Sequence, residues 1–160
     1  MTDKFTNFAE VFLDRAALQP NALAYRFHMP QSEATVDLRM GELARRVKAL
    51  AAGFQSRNLQ GQRVVLALPH SPDFIYAFFA CLAAGAIAVP VPQQRSHRQD
   101  PRLSAVIANA EPGLVLVDAG AVDWVLESIG REAADIGKPA TPAATIDEIE
   151  GNQVDQERDQ

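Results

Sequence analysis

Apolar positions change their spacing along this chain, and each change marks an element. Phe8, Phe12 and Ala16 recur at helical intervals, which predicts a helix over residues 7–18. Asn7 with Glu10 three residues later forms a capping-box signal at its start, and Pro20 stops it. Leu23–His28 and Thr35–Leu38 are short runs that pair as a hairpin around MPQSE. Leu43, Val47, Leu50 and Phe54 restore the helical period over residues 41–57, with Glu42, Arg45, Arg46 and Lys48 on the other side and Gly61 ending the pattern.

The middle of the chain loses its charges. Val64–Leu68 is a β-branched, uncharged run that reads as a strand covered on both faces. Ser71, Pro72 and Asp73 supply an N-cap, a first-turn proline and a first-turn acid. The helix they open, Phe74–Ala84, is apolar all round and therefore expected to be buried on most faces; Gly85 is its C′ residue. Ala86–Val91 reads as a second strand, closed by Pro90 and Pro92. Strand, helix and strand make a βαβ unit with parallel strands. A helix over Pro101–Ala110, a strand over Leu114–Val117 and a helix over Ala121–Ala133 continue the alternation. The expected fold is α/β: a parallel sheet built from βαβ units and flanked by helices, with an N-terminal helix and a short hairpin.

Charge changes this picture near the end. Residues 136–160 hold six acids (Asp147, Glu148, Glu150, Asp155, Glu157, Asp159) against Lys138 and Arg158, and no aromatic residue. We therefore expect one domain over residues 1–135 and an acidic, flexible tail over 136–160, with a short helix possible near Ile146–Ile149. With 160 residues in all, a net charge of −5 and 48% hydrophobic residues, the composition is globular, and it excludes a basic nucleic-acid binder. The charged N-terminus lacks the apolar run of a signal peptide, so a cytoplasmic protein is the expectation. Phe74–Pro92 is uncharged, but Gly85, Pro90 and Pro92 break it, so no membrane span is expected.

Candidate chemistry is sparse. No glycine spacing gives a phosphate-binding or dinucleotide motif. Ser71 sits between strand and helix without the G-x-S-x-G of an esterase and reads as a cap, although the helix start it opens is also a place for an anion. Cys81 lies among Ala80 and Leu82 as a core thiol. His28, His70 and His97 have no ligand spacing, so no metal site is expected. The basic loop QQRSHRQDPR, with Arg95, Arg98 and Arg102, is either solvated or meets phosphate or an acidic partner surface.

Several ordered segments carry a resemblance. VVLALPHSPDFIYAFFACLAAGAIAVPVP, a basic loop, and RLSAVIANAEPGLVLVD resemble the N-terminal region of adenylate-forming enzymes. Upstream, FAEVFLDRAALQPNALAYRF is similar to the family's opening helix and first strand. LRMGELARRVKALAAGFQ is similar to its Leu-Thr-Tyr-x-Glu-Leu helix, keeping Leu38, Glu42 and Leu43 but reading Arg39 and Met40 for Thr and Tyr. The VPVPQQR loop and the RLSAVIANAEPGLVLV run are most similar to the fatty acyl-AMP ligases. The resemblance implies an ATP- and Mg-dependent activation of a fatty acid to acyl-adenylate, then transfer to an acyl carrier protein. It also implies that the phosphate loop, the adenine and ribose contacts and the catalytic lysine lie beyond this chain, whose lysines (Lys4, Lys48, Lys138) match none of those motifs. No catalytic, cofactor-binding or metal residue is therefore carried over, and no cofactor is expected for this chain alone. Arg95, Arg98 and Arg102 remain as carrier or partner contacts. The expected partners are the remainder of the adenylation domain or a homo-oligomer partner, and an acyl carrier protein. The alternative is a non-catalytic binding module derived from such a domain.

Overall fold

The computed structural model describes residues 7–28, 33–92, 101–136 and 140–151. Helix α1 spans Phe8–Leu18, and Asn7 caps it through Oδ1, which accepts from the Glu10 amide at 3.0 Å. Strands β1 (Leu23–His28) and β2 (Thr35–Arg39) pair antiparallel, with a bulge between Leu23 and Tyr25. Helix α2 (Met40–Ser56) follows directly. The four-stranded sheet is assembled from β3 (Arg63–Ala67), β4 (Ile87–Pro90), β5 (Leu114–Val117) and β6 (Ala143–Ala144), all parallel, in the order β4-β3-β5-β6. Helices α3 (Pro72–Ala84), α4 (Pro101–Ala110) and α5 (Val122–Ile136) connect these strands, and a 3-10 turn over Ala119–Ala121 leads into α5.

Strand period 2 divides the core in two. Val64, Leu66, Leu114 and Leu116 point into one cluster with Phe12, Leu43, Val47, Leu50 and Phe54, which is the α1, α2 and α3 side. Their neighbours Val65, Ala67, Val115 and Val117 point into a second cluster with Leu103, Ile107, Val125 and Ile129 from α4 and α5. A strand covered on both faces needs apolar residues at every position, hence the uncharged runs. All residues buried among those described are apolar.

Both edges of this sheet are blunted. Ile87 N–H donates to Gln62 and Val91 N–H to Leu66, so the odd positions of β4 face β3. The even positions, Ala88, Pro90 and Pro92, face outward, and two of the three lack an amide hydrogen. The opposite edge, β6, is two residues long.

Two expectations change. The uncharged stretch 74–84 of α3 buries Tyr76, Ala77, Phe79, Ala80, Cys81 and Ala84, while Phe74, Ile75, Phe78 and Leu82 are half-buried, because α1 and α2 cover one side of it. The tail expected over 136–160 is ordered over 140–151. The Val115 amide donates to Pro142 O at 2.9 Å, β6 joins the sheet, and residues 146–151 are helical. Thr145 and Glu148 form a reciprocal capping box: the Thr145 amide donates to Glu148 Oε2 at 2.7 Å and the Glu148 amide to Thr145 Oγ1 at 3.2 Å. Ile146 and Ile149, three apart on that turn, are buried in the first cluster. Net charge forecast poorly here because Asp147 and Glu148 face outward, Glu150 pairs with Arg46, and two isoleucines supply the buried area.

Candidate functional site

Parallel α/β sheets bind ligands beyond the carboxyl ends of their strands, where neighbouring connections leave in opposite directions. In this sheet that point lies between β3 and β5: β3 is followed by α3 on one face and β5 by α5 on the other. Ala67 and Val117 are paired there, so Leu68–Ser71 and Asp118–Ala121 line the crevice mouth. His70 and Asp118 are exposed and Ser71 is half-buried.

The groups at this mouth are engaged locally. Ser71 occupies the N-cap position of α3, with extended backbone, but its side chain makes no capping bond; the hydroxyl instead donates to Pro69 O at 3.3 Å. The expected cap is thus right in position and different in its hydrogen bond. Asp118 accepts the Gly120 amide at 3.3 Å and closes the 3-10 turn. Burial pushes the Asp73 carboxyl above its ordinary value, Arg46 opposes that, and Asp147 and Asp118 reinforce it.

Beside the crevice, Arg46 joins three elements. Its guanidinium meets Glu150 at 2.7 Å and Asp147 at 3.9 Å, and stands 5.1 Å from the centre of the Tyr76 ring. Burial raises the Glu150 carboxyl, against the pull of Arg46, and Glu150 Oε1 is buried without a partner. This junction fastens residues 146–151 to α2 and α3. Gly53 completes the fastening: a Cβ there would stand 2.6 Å from Ile149 Cγ2 and 2.9 Å from Ile149 O. Neither Gly53 nor Arg46 stood out in the sequence. The Thr145–Glu148 spacing was the available signal for the segment they hold.

Of the basic-loop candidates, Arg95 and Arg98 lie outside the described residues. Arg102 is exposed on the first turn of α4. Cys81 is buried and its thiol is pushed up to about 12 by desolvation, as a core cysteine should be. No group of three or more His, Cys, Asp or Glu among the described residues is placed to hold a metal ion, and none of their helices is long and apolar enough to cross a membrane.

The profile of the family described as AMP-binding enzyme matches residues 12–159. The chain is 36% identical over 123 residues to the putative fatty-acid–CoA ligase FadD21 of Mycobacterium tuberculosis, covering 74% of this chain and 21% of that protein. It is 29% identical to the medium-chain-fatty-acid–[acyl-carrier-protein] ligase JamA of Moorena producens, over 78% of this chain and 22% of that protein. Among solved structures it is similar to a fatty acyl-adenylate ligase from L. pneumophila in complex with acyl adenylate and pyrophosphate. The TM-score is 0.75 at 25% identity, covering 93% of this chain and 25% of that one. The chain thus spans about a fifth to a quarter of the length of these relatives.

Proposed function

Because this chain belongs to the AMP-binding enzyme family, which it matches over residues 12–159, we propose that it forms the N-terminal portion of a fatty acyl-AMP ligase and is not catalytic by itself. In the reaction of the whole enzyme, a fatty acid carboxylate oxygen attacks the α-phosphorus of ATP. The bond to the leaving pyrophosphate breaks, giving acyl-adenylate. The thiol of an acyl carrier protein then attacks the acyl carbon and releases AMP. Two anions must meet, so the whole site needs cations and N–H donors around the triphosphate.

Among the described residues no group of three or more His, Cys, Asp or Glu is placed to hold a metal ion, and Lys48 stands exposed on α2, so this reading rests no ATP or Mg²⁺ contact on them. No step of the reaction is therefore assigned to them. Their role in this reading is a scaffold: a finished parallel sheet on which the rest of the domain is built. The observation that carries the reading is the similarity to an acyl-adenylate ligase across 93% of the chain.

Fatty-acid-dependent exchange of pyrophosphate into ATP tests it. The purified chain should show none above background, and robust exchange would overturn the reading. A chimera in which the chain replaces the matching fifth of FadD21 should exchange. The carrier contact belongs to the same proposal, since JamA is named as a carrier-protein ligase. We assign it to Arg95, Arg98 and Arg102, and reversing these charges should weaken carrier binding most at low salt.

A further inference from the structure

Between residues 143 and 149 the chain turns around the edge of the four-stranded sheet. Ala143 packs against the second core cluster, whereas Ala144, Ile146 and Ile149 belong to the first, so the segment passes from one side of the sheet to the other. Its apolar and backbone attachments are short. β6 has two residues, the Val115 amide donates to Pro142 O at 2.9 Å, and two isoleucines enter the core. The Thr145–Glu148 capping box starts the helical turn, but a turn of this length is not stable in water alone and stays helical only while it is docked. A small peripheral element of this kind can open as a unit while the rest of the domain stays folded.

The polar clasp that fixes the segment is unbalanced in charge. Arg46 of α2 pairs with Glu150 at 2.7 Å and reaches the exposed Asp147 at 3.9 Å. Asp73, at the start of α3, also feels Arg46 and Asp147, and it acts on Glu150. Three carboxylates therefore converge on Arg46, with Arg45 as a weaker second cation. Tyr76 supplies only a ring to the Arg46 guanidinium, and Glu42 adds a further acid on the Tyr76 side. Glu148 is engaged by Thr145. Arg46 meets Oε2 of Glu150, while Oε1 is buried without a hydrogen-bond partner. An ionised carboxylate with one oxygen buried and unmatched is costly, and a proton relieves that cost. Burial accordingly raises the Glu150 carboxyl and outweighs the opposing pull of Arg46.

We propose that residues 143–151 form a proton-coupled strap: docking against α2 and α3 takes up a proton at the Glu150 carboxyl, so the strap is held in mild acid and loosens as pH rises towards neutrality. Glu150 released into water returns to the ordinary carboxylate value, so the proton binds the docked form more tightly. The opening equilibrium therefore grows with pH between the two values and levels off above them. Release uncovers the β5 edge at Val115 and the Gly53 face of α2. The device is independent of the ligase reading.

Amide exchange in the wild-type chain tests the strap. Protection factors, which divide out the intrinsic pH dependence of exchange, are measured for three amides. Val115, bonded to Pro142 O, and Ile149, bonded to Thr145 O, open with the strap; Ile87, bonded to Gln62 O, sits at the far sheet edge. From about pH 4.5 to about pH 7.5 the first two factors should fall at least about threefold while Ile87 stays unchanged. Glu150→Gln should remove most of this fall. Arg46→Gln takes away the cation that favours the ionised form and should enlarge it. A clasp that is only structural would lower protection equally at every pH in both variants. The wild-type series stands by itself where a variant does not fold. Protection that is constant or rises with pH overturns the proposal. So does a fall shared by Ile87, which means that the whole chain opens rather than the strap, and so does an unchanged pH response in folded Glu150→Gln.

Discussion

The four-stranded sheet and the α1–hairpin unit solve the same problem differently. In the sheet, every residue of β5 is buried, with successive side chains feeding opposite clusters, and both edges are blunted. In the hairpin, one residue of β2 is buried and none of β1, and apolar side chains stand in water. Burial in the first region is concentrated in its centre: β5 and most of β3 are buried, while the edge strands β4 and β6 hold no buried residue. The hairpin packs Leu38, Ala24 and Phe27 against the core and carries the Arg26–Asp37 ion pair on its exposed side. Side-chain exposure thus separates a strand covered on both faces from a ribbon covered on one.

The largest expected effect lies in the closed region. Phe54, fully buried between α2 and the sheet, should cost about 3–5 kcal/mol when replaced by Ala. Tyr25→Ala, on the open face, should stay within about 0.5 kcal/mol. Equal losses in denaturant melts would erase the distinction between the regions.

Next comes the fastening of residues 146–151. Gly53→Ala should destabilise by about 1–3 kcal/mol, because its Cβ meets both side chain and backbone of Ile149. Adding Ile149→Ala should give less than the sum of the two single losses, since they share one contact. Strict additivity would mean that the segment is not held there.

Caps give a smaller contrast. Thr145→Ala removes a reciprocal capping box and should cost about 1 kcal/mol, whereas Ser71→Ala removes a hydroxyl that caps nothing and should be close to neutral. A reversal of that order in thermal melts would contradict the hydrogen bonds described.

The smallest effect is in pH dependence, and the two regions should differ in sign. Glu150 and Asp73 have raised carboxyl pKa values, so the folded chain binds their protons more tightly than the unfolded one. Their contribution is fully present below the ordinary carboxylate range and is lost as pH rises through the raised range. Asp37 is lowered, chiefly by its hydrogen bond from Arg26, so its contribution is present at neutral pH and lost as pH falls below the ordinary carboxylate range. Glu150→Gln should flatten the first response, and Asp37→Asn the second. Stability profiles that respond to neither substitution, or in the opposite sense, would refute the assignment.

Elements governed by local rules were legible in the sequence. Asn7 and Glu10 located the start of α1, Gly85 the end of α3, and the uncharged run the strand β3. The family was legible too, because several ordered segments carried it. Gly53 was not, since its requirement comes from Ile149, which the fold alone brings to it. The segment 140–151 was hidden by its charge, although Thr145 and Glu148 marked its helix start. At the crevice the sequence placed Ser71 correctly, but the hydroxyl's choice of Pro69 O over the helix amides depends on loop geometry that no spacing encodes.

The contact between Gly53 and Ile149 also sets an order in time. The two residues are on the order of a hundred positions apart, so their contact cannot form until most of the chain has been made. During synthesis at the usual pace, roughly 5–20 s pass between the two codons. Until Ile149 is made, the Gly53 side of α2 lacks this cover, so nascent chains stalled before Ile149 should be more readily cleaved by protease than those stalled well after it.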